Sequence, residues 1–318
     1  MTRVARSESR VTVGERADGS VVTLPVIRWH GEAGPHLYIG VTIHGDELTG
    51  QASLWRVGAW LEQSAMFGSV TAVPVQNPEG FNYNVRGMAG RTHDLNRSYP
   101  GDADGETHER VTAAVTRIAC EADAAIDVHT AGMCIPYLLM DPVTDPHLAA
   151  RTDELARATG ITKIDEFVSE RYETEGLAAS LPPVVLKAGK PAFTLELAGH
   201  GNVAWEQAEA GAIGLRNAIR HLGIVEGERE ALHDVVVKHT EGHRRRAVIA
   251  ERGGIVEFNV RPGDDVVKGR RIGRVRDVWG RVVEEVLAPA DGFVIGLSPV
   301  AATWTGGYLA EIATPQEG

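Results

Sequence analysis

The feature that most constrains this 318-residue chain is a change in its hydrophobic rhythm. Up to about residue 222, short apolar runs of strand length alternate with segments of helical spacing. Beyond 232 the helical spacing disappears and short β-rich runs broken by Gly, Pro and Asp take over. HLYIGVTI (36–43), SVTAVPV (69–75), DAAIDVHT (123–130), IPYLLMD (135–141) and KPAFTLELAG (190–199) have strand length. LTGQASLWRVGAWLEQ, ETHERVTAAVTRIACEA, DPHLAARTDELARATG and 203–222 have helical period. A hairpin is expected over 11–29, turning at Ala17–Ser20. Such alternation predicts an α/β fold: a mixed, mostly parallel sheet flanked by helices, plus a small C-terminal all-β domain. Two units follow, 1–232 and 233–318.

Charge marks the same boundary. The chain holds 32 Lys plus Arg and 43 Asp plus Glu, a net −11. Residues from His233 onward carry 12 basic and 12 acidic groups, so the whole surplus lies in the first 232. An acidic chain lacks the basic face that a polyanion requires, so neither nucleic acid nor an anionic membrane is an expected partner. No run of 18 apolar residues occurs, the N-terminus shows no apolar leader, and Cys120 and Cys134 are the only cysteines. These point to a reducing, cytoplasmic setting.

In a sheet of this kind ligands bind beyond the carboxyl ends of the strands, and there the informative residues stand. His44-Gly45-Asp46-Glu47 follows one strand, and His129 ends another. Imidazole nitrogen and carboxylate oxygen both suit zinc at about 2.0–2.2 Å, and a two-His, one-carboxylate set leaves a fourth position for water. Alone, the His-x-x-Glu spacing fits a loop histidine and a first-turn glutamate favoured by a helix dipole better than it fits a metal site. Three such residues at the strand ends of one sheet favour a metal. Glu196 stands among Phe193, Leu195 and Leu197, where a carboxylate is costly unless paired or functional. Alternation puts it with Thr194, and beside a metal it would act as general base and acid. A loop expected over 76–105 carries Arg86, Arg91 and Asp94-Leu95-Asn96-Arg97. A guanidinium fork there would grip a carboxylate, or stabilise an oxyanion.

Taken in order, His44-Gly45-Asp46-Glu47, Asn77-Pro78-Glu79-Gly80, Asp94-Leu95-Asn96-Arg97, Asp127-Val128-His129 and Thr194-Leu195-Glu196 resemble the succinylglutamate desuccinylase/aspartoacylase family of zinc amide hydrolases, relatives of the zinc carboxypeptidases. The resemblance spans about 30–230. It implies one zinc per chain on His44, Glu47 and His129, Glu196 as general base and acid, and Asn96 with Arg97 on the substrate carboxylate. It implies Arg86 at the oxyanion, with Arg91 as rival because Gly87-Met88-Ala89-Gly90 lengthens the segment. Asp127 is implied as a partner that orients His129. His200 stands where many members have a glycine, so it either lines the pocket or sits on the surface. Cys134 reads as a buried small residue rather than a ligand. The implied activity is zinc-dependent removal of an acyl group from an N-acylated amino acid or similar small carboxylate, by a dimer or higher homo-oligomer. A peptide-cleaving zinc carboxypeptidase and a non-catalytic zinc-binding scaffold are the alternatives. The C-terminal segment resembles half of a lipoyl or biotinyl carrier. No lysine follows Lys268, however, and Val278-Trp279 fills the expected turn, so it reads as a lid or assembly surface.

Overall fold

The computed structural model describes residues 4–88, 93–166, 170–240 and 242–315. The hairpin is formed by β1 (Ala5–Glu15) and β2 (Val21–His30), and Gly19 in its turn takes φ +81°. There follow β3 (Glu32–Val41), α1 (Thr49–Leu61), β4 (Phe67–Val73), α2 (Pro78–Tyr83), α3 (Thr107–Glu121), β5 (Ala124–Thr130), β6 (Met133–Cys134) and β7 (Tyr137–Met140). Next come α4 (Pro146–Thr159), β8 (Thr162–Asp165), α5 (Glu170–Thr174), α6 (Leu181–Lys187), β9 (Ala192–Leu197) and α7 (Trp205–His221). The remainder is all strand: β10 (His243–Ile249), β11 (Gly254–Phe258), β12 (Asp265–Val266), β13 (Arg271–Arg276), β14 (Val282–Leu287), β15 (Gly292–Leu297), β16 (Ala302–Thr303) and β17 (Tyr308–Pro315).

The sheet is mixed, in the order β1-β2-β4-β3-β5-β9-β7-β8-β10-β17-β15-β12. Its centre, β4-β3-β5-β9, is parallel. Period-two alternation divides these strands between two cores. Leu37, Ile39, Ile126, Val128, Phe193 and Leu195 face α1, α4 and α7, whose Leu54, Val57, Leu155, Leu215 and Ile219 cover them. Tyr38 and Ala125 face the other way, toward Val111, Val115 and Ile118 of α3 and Leu181 and Val185 of α6. Helices therefore cover both faces, as the rhythm of the sequence requires.

The C-terminal strands extend this sheet. β10 pairs with β8 at Arg244 and Asp165, and β15 pairs with β6 at Gly296 and Cys134. A second sheet, β14-β13-β11-β16, packs on a small core of Val256, Ile272, Val275, Val286 and Leu309. Val278 and Trp279 occupy the β13–β14 turn and are exposed.

The 76–105 segment carries more order than its composition suggests. Asn77 caps α2 by accepting from the Gly80 amide at 2.8 Å, with Pro78 in the first turn. Asp94 accepts from the Asn96 amide at 2.9 Å and starts a short 3-10 turn over Leu95–Arg97. Both pieces are too short for a periodic signal, and their caps are what define them.

Candidate metal centre and catalytic cavity

The loop after β3 turns at Thr42, whose φ is +57°. It can lie against α2 only because residue 45 is glycine: a Cβ there would come within 1.9 Å of the Gly80 carbonyl carbon. This close approach brings His44 and Glu47 in front of the end of β5. His44 Nδ1 lies 2.7 Å from Glu47 Oε1, and His129 Nδ1 lies 3.2 Å from Glu47 Oε2. The three groups form a buried set able to hold one metal ion. Each imidazole keeps its second nitrogen on a carboxylate: His129 Nε2 is 2.9 Å from Asp127 Oδ2, and His44 Nε2 is 3.1 Å from Asp94 Oδ1. Both rings thus turn Nδ1 to the shared centre, with a carboxylate fixing each tautomer. The Thr130 amide donates to Glu47 Oε2 at 2.9 Å.

Glu47 has its charge opposed by burial, yet His44 and then His129 hold its carboxyl well below the usual range. Asp94 behaves alike: burial opposes its charge, and the His44 hydrogen bond and Arg86 outweigh it. A cluster of two imidazoles and one carboxylate of this kind, with second nitrogens anchored, has the donor chemistry of a three-ligand zinc site. Cys134 is buried and is not one of the grouped donors.

Strand register sets the next residue. β5 and β9 are parallel with His129 opposite Glu196 and Asp127 opposite Thr194; β7 is antiparallel with Tyr137 opposite Glu196. His129, Glu196 and Tyr137 therefore form one row on one face, while Leu195 and Leu197 turn into the opposite core. Burial raises the Glu196 carboxyl to about 7; His129 opposes that shift and Glu47 adds to it. A carboxyl poised there exchanges protons near neutral pH.

A cavity of about 700 Å³ opens over this row. Arg86 stands at its edge, 3.0 Å from Asp94 Oδ2, 3.4 Å from His44 Nδ1 and 3.5 Å from Glu47 Oε1. Asn96 and Arg97 line the cavity nearby; Arg97 is braced by the Glu175 carbonyl at 2.7 Å and the Asn96 carbonyl at 2.8 Å. His200 is half exposed on the rim, 4.0 Å from Asp46. Arg91 lies outside the described residues. All seven site residues expected from the sequence, His44, Glu47, Arg86, Asn96, Arg97, His129 and Glu196, thus border one cavity.

The far wall is built by the C-terminal segment, expected as a lid or assembly surface, although no single residue of it is expected at the site. The C-terminal strands supply Arg245, Tyr308, Glu311 and the 298–304 turn. Arg245 gives its donors to both oxygens of Glu166 at 2.8 Å and to Glu311 Oε1 at 2.8 Å. Glu311 Oε2 accepts from the Tyr137 hydroxyl at 3.2 Å. Asp141, which accepts from Tyr172 at 2.8 Å, is raised by burial to about 7. The signal for Glu311 was the one that marked Glu196: an acidic residue in an apolar strand, Leu309-Ala310-Glu311-Ile312-Ala313. Asp94 had no such signal, because its role depends on where a loop folds back.

Comparison with known proteins follows the same lines. The family model of the succinylglutamate desuccinylase/aspartoacylase catalytic domain matches residues 33–222. The chain is 28% identical over 305 residues to N-alpha-acetyl-L-2,4-diaminobutyric acid deacetylase of Halomonas elongata, covering 94% of this chain and 87% of that protein. Among solved structures, a succinylglutamate desuccinylase/aspartoacylase from Rhodobacter sphaeroides superposes with a TM-score of 0.85 at 23% identity, covering 99% of this chain and 100% of that one. The product-bound ectoine utilization protein EutE (DoeB) from Ruegeria pomeroyi gives a TM-score of 0.85 at 24% identity, with 98% and 95% coverage. At these identities the structural likenesses establish the fold.

Proposed function

The chain belongs to the succinylglutamate desuccinylase/aspartoacylase family, and from that premise we propose that it is a zinc-dependent amide hydrolase that removes an acyl group from an N-acylated amino acid. One observation carries the reading: the β5–β9 register sets Glu196 beside His129 on the face where His44 and Glu47 converge. His44 and His129, through Nδ1, and the Glu47 carboxylate would hold the ion. When bound, zinc would lower the pKa of water and polarise the scissile carbonyl. Glu196, with a carboxyl near 7, takes the proton from the attacking water and returns it to the departing amine nitrogen. Arg86, at the cavity edge beside His44, donates to the oxyanion that develops on the carbonyl oxygen. Arg97 and Asn96 hold the substrate carboxylate, with Arg97 kept in place by its backbone anchors. The 298–304 segment, Trp304 included, lines the cavity and would favour small substrates over peptides.

The far wall supports a finer statement about the amine product. Arg245 spends its guanidinium on Glu166 and Glu311, so it is not offered to a substrate carboxylate. With Asp141 alongside, that wall presents acceptors, and it suits an amine portion bearing a second, cationic nitrogen. N-alpha-acetyl-L-2,4-diaminobutyric acid, the substrate in the name of the Halomonas relative, has such a nitrogen. A panel tests both levels: acetyl, succinyl and longer acyl derivatives of diaminobutyrate, norvaline and aspartate, beside short peptides. The expected order is acetyl-diaminobutyrate first and peptides last. Cleavage of peptides alone would replace this reading with a carboxypeptidase.

A further inference from the structure

The two carboxylates behind the imidazoles are held in different ways. Asp94, at the cavity edge, accepts from the Asn96 amide at 2.9 Å and from Arg86 at 3.0 Å. Asp127 is buried and has no cation among its hydrogen-bond partners. Its Oδ2 serves His129, and its Oδ1 accepts from Gln76 Nε2 at 2.7 Å. Gln76 is itself fully buried and does not border the cavity.

Three features of the fold aim that amide. The Tyr38 and Tyr99 hydroxyls, both on buried residues, donate to Gln76 Oε1 at 3.2 Å each. A carboxylate only accepts and a hydroxyl can donate, so the NH2 end of Gln76 must face Asp127 and its oxygen the two tyrosines. The backbone is fixed too: the Gln76 amide donates to the Val41 carbonyl at 3.0 Å. Lastly, the bond from Gln76 to Asp127 passes over β3 at Gly40, which pairs with Asp127 in the β3–β5 register. A Cβ at Gly40 would stand 2.7 Å from both Asp127 Oδ1 and Gln76 Nε2, so only glycine leaves room for the contact. Two tyrosines, a glutamine and a glycine thus converge on one oxygen of one carboxylate.

We infer that Gln76 is a positioning residue: it locks the Asp127 carboxylate in the orientation that accepts from His129 Nε2 and so turns His129 Nδ1 to the metal centre. With Oδ1 pinned, the carboxylate cannot rotate away from His129 without leaving a buried charge short of a hydrogen bond. The inference rests on the zinc-site reading and adds a residue to it. Gln76 acts only through Asp127 and touches neither substrate nor metal.

Zinc affinity, measured by competition with a chelator on folded protein, tests this without reference to turnover. Gln76→Met keeps the length of the side chain and removes the donor. It should weaken zinc binding about 10-fold, the lower end of what loss of an outer partner costs. Gln76→Asn, still polar but one methylene too short to reach Asp127, carries the same expectation and serves if the Met variant does not fold. In an Asp127→Ala background the same Gln76 change should have no further effect on zinc affinity, because the group it holds is gone. A lowered Tm of the metal-free variant with wild-type zinc affinity would reduce Gln76 to a structural role and overturn the inference. An equal loss of affinity with and without Asp127 would overturn it as well. Wild-type protein that binds no zinc would overturn it together with the reading beneath it.

Discussion

The two ends of the chain use polar residues in opposite ways. Through residue 222 the core tolerates buried polar and charged groups in quantity, among them His44, Glu47, Gln76, Asp127 and His129. After 222, Glu311 is the one buried polar or charged residue among those described, and it faces the cavity. The second sheet, which does not include Glu311, has a Val, Ile and Leu core and ion pairs such as Arg271–Glu285 at the surface. Buried polarity is costly without partners. Its concentration in one region, and the single exception in the other, trace the outline of the proposed site.

The contrast breaks most sharply at Glu196. Glu196→Gln should lower kcat by about 10²–10⁴-fold while leaving zinc content intact; steady-state kinetics with metal analysis checks both. Its protonation carries a sign as well. The carboxylate is the working base, so kcat/KM should decline as pH falls through the Glu196 titration, at or below about 7 since a bound cation favours the charged form. That acid limb should vanish in the Gln variant's residual rate.

In the other region a core substitution should damage stability and spare chemistry. Ile272, fully buried in the second sheet, should cost about 2–5 kcal/mol on change to Ala, read by denaturant unfolding. The kcat of the folded fraction should stay near wild type. A loss of zinc in this variant would erase the distinction between the regions. Asp127→Asn sharpens it from within the first region: weaker orientation of His129 should reduce zinc affinity about 10–100-fold, measured by competition with a chelator. The smallest effect belongs to the β13–β14 tip. Trp279→Ser at that exposed turn should change stability by less than about 0.5 kcal/mol and leave turnover alone.

How much of this was legible beforehand depends on whether a residue acts through local pattern or through distant folding. The strands carrying His129 and Glu196 were readable because their runs have the right length and because alternation fixes which side chains share a face. The helices α1, α3, α4 and α7 were readable from their period. Segment 161–189 went unassigned: β8 spans only Thr162–Asp165, and α6 opens on Leu181-Pro182-Pro183, where prolines at the helix start read as breakers. Asp94 behind His44 and Arg245 between Glu166 and Glu311 depend on partners 50, 79 and 66 residues away. No window of sequence contains those pairs. The junction of β15 with β6, which brings the 298–304 turn over the cavity, is of the same kind.

The central claim is that His44, Glu47 and His129 hold a zinc ion on which amide hydrolysis depends. The most direct measurement is metal content and turnover of N-acyl amino acids in one preparation, before chelation, after it, and after zinc is returned. The account predicts one zinc per chain, loss of turnover with the metal, recovery at one equivalent, and no zinc retained by His129→Ala. Undiminished turnover in fully metal-free protein would contradict it.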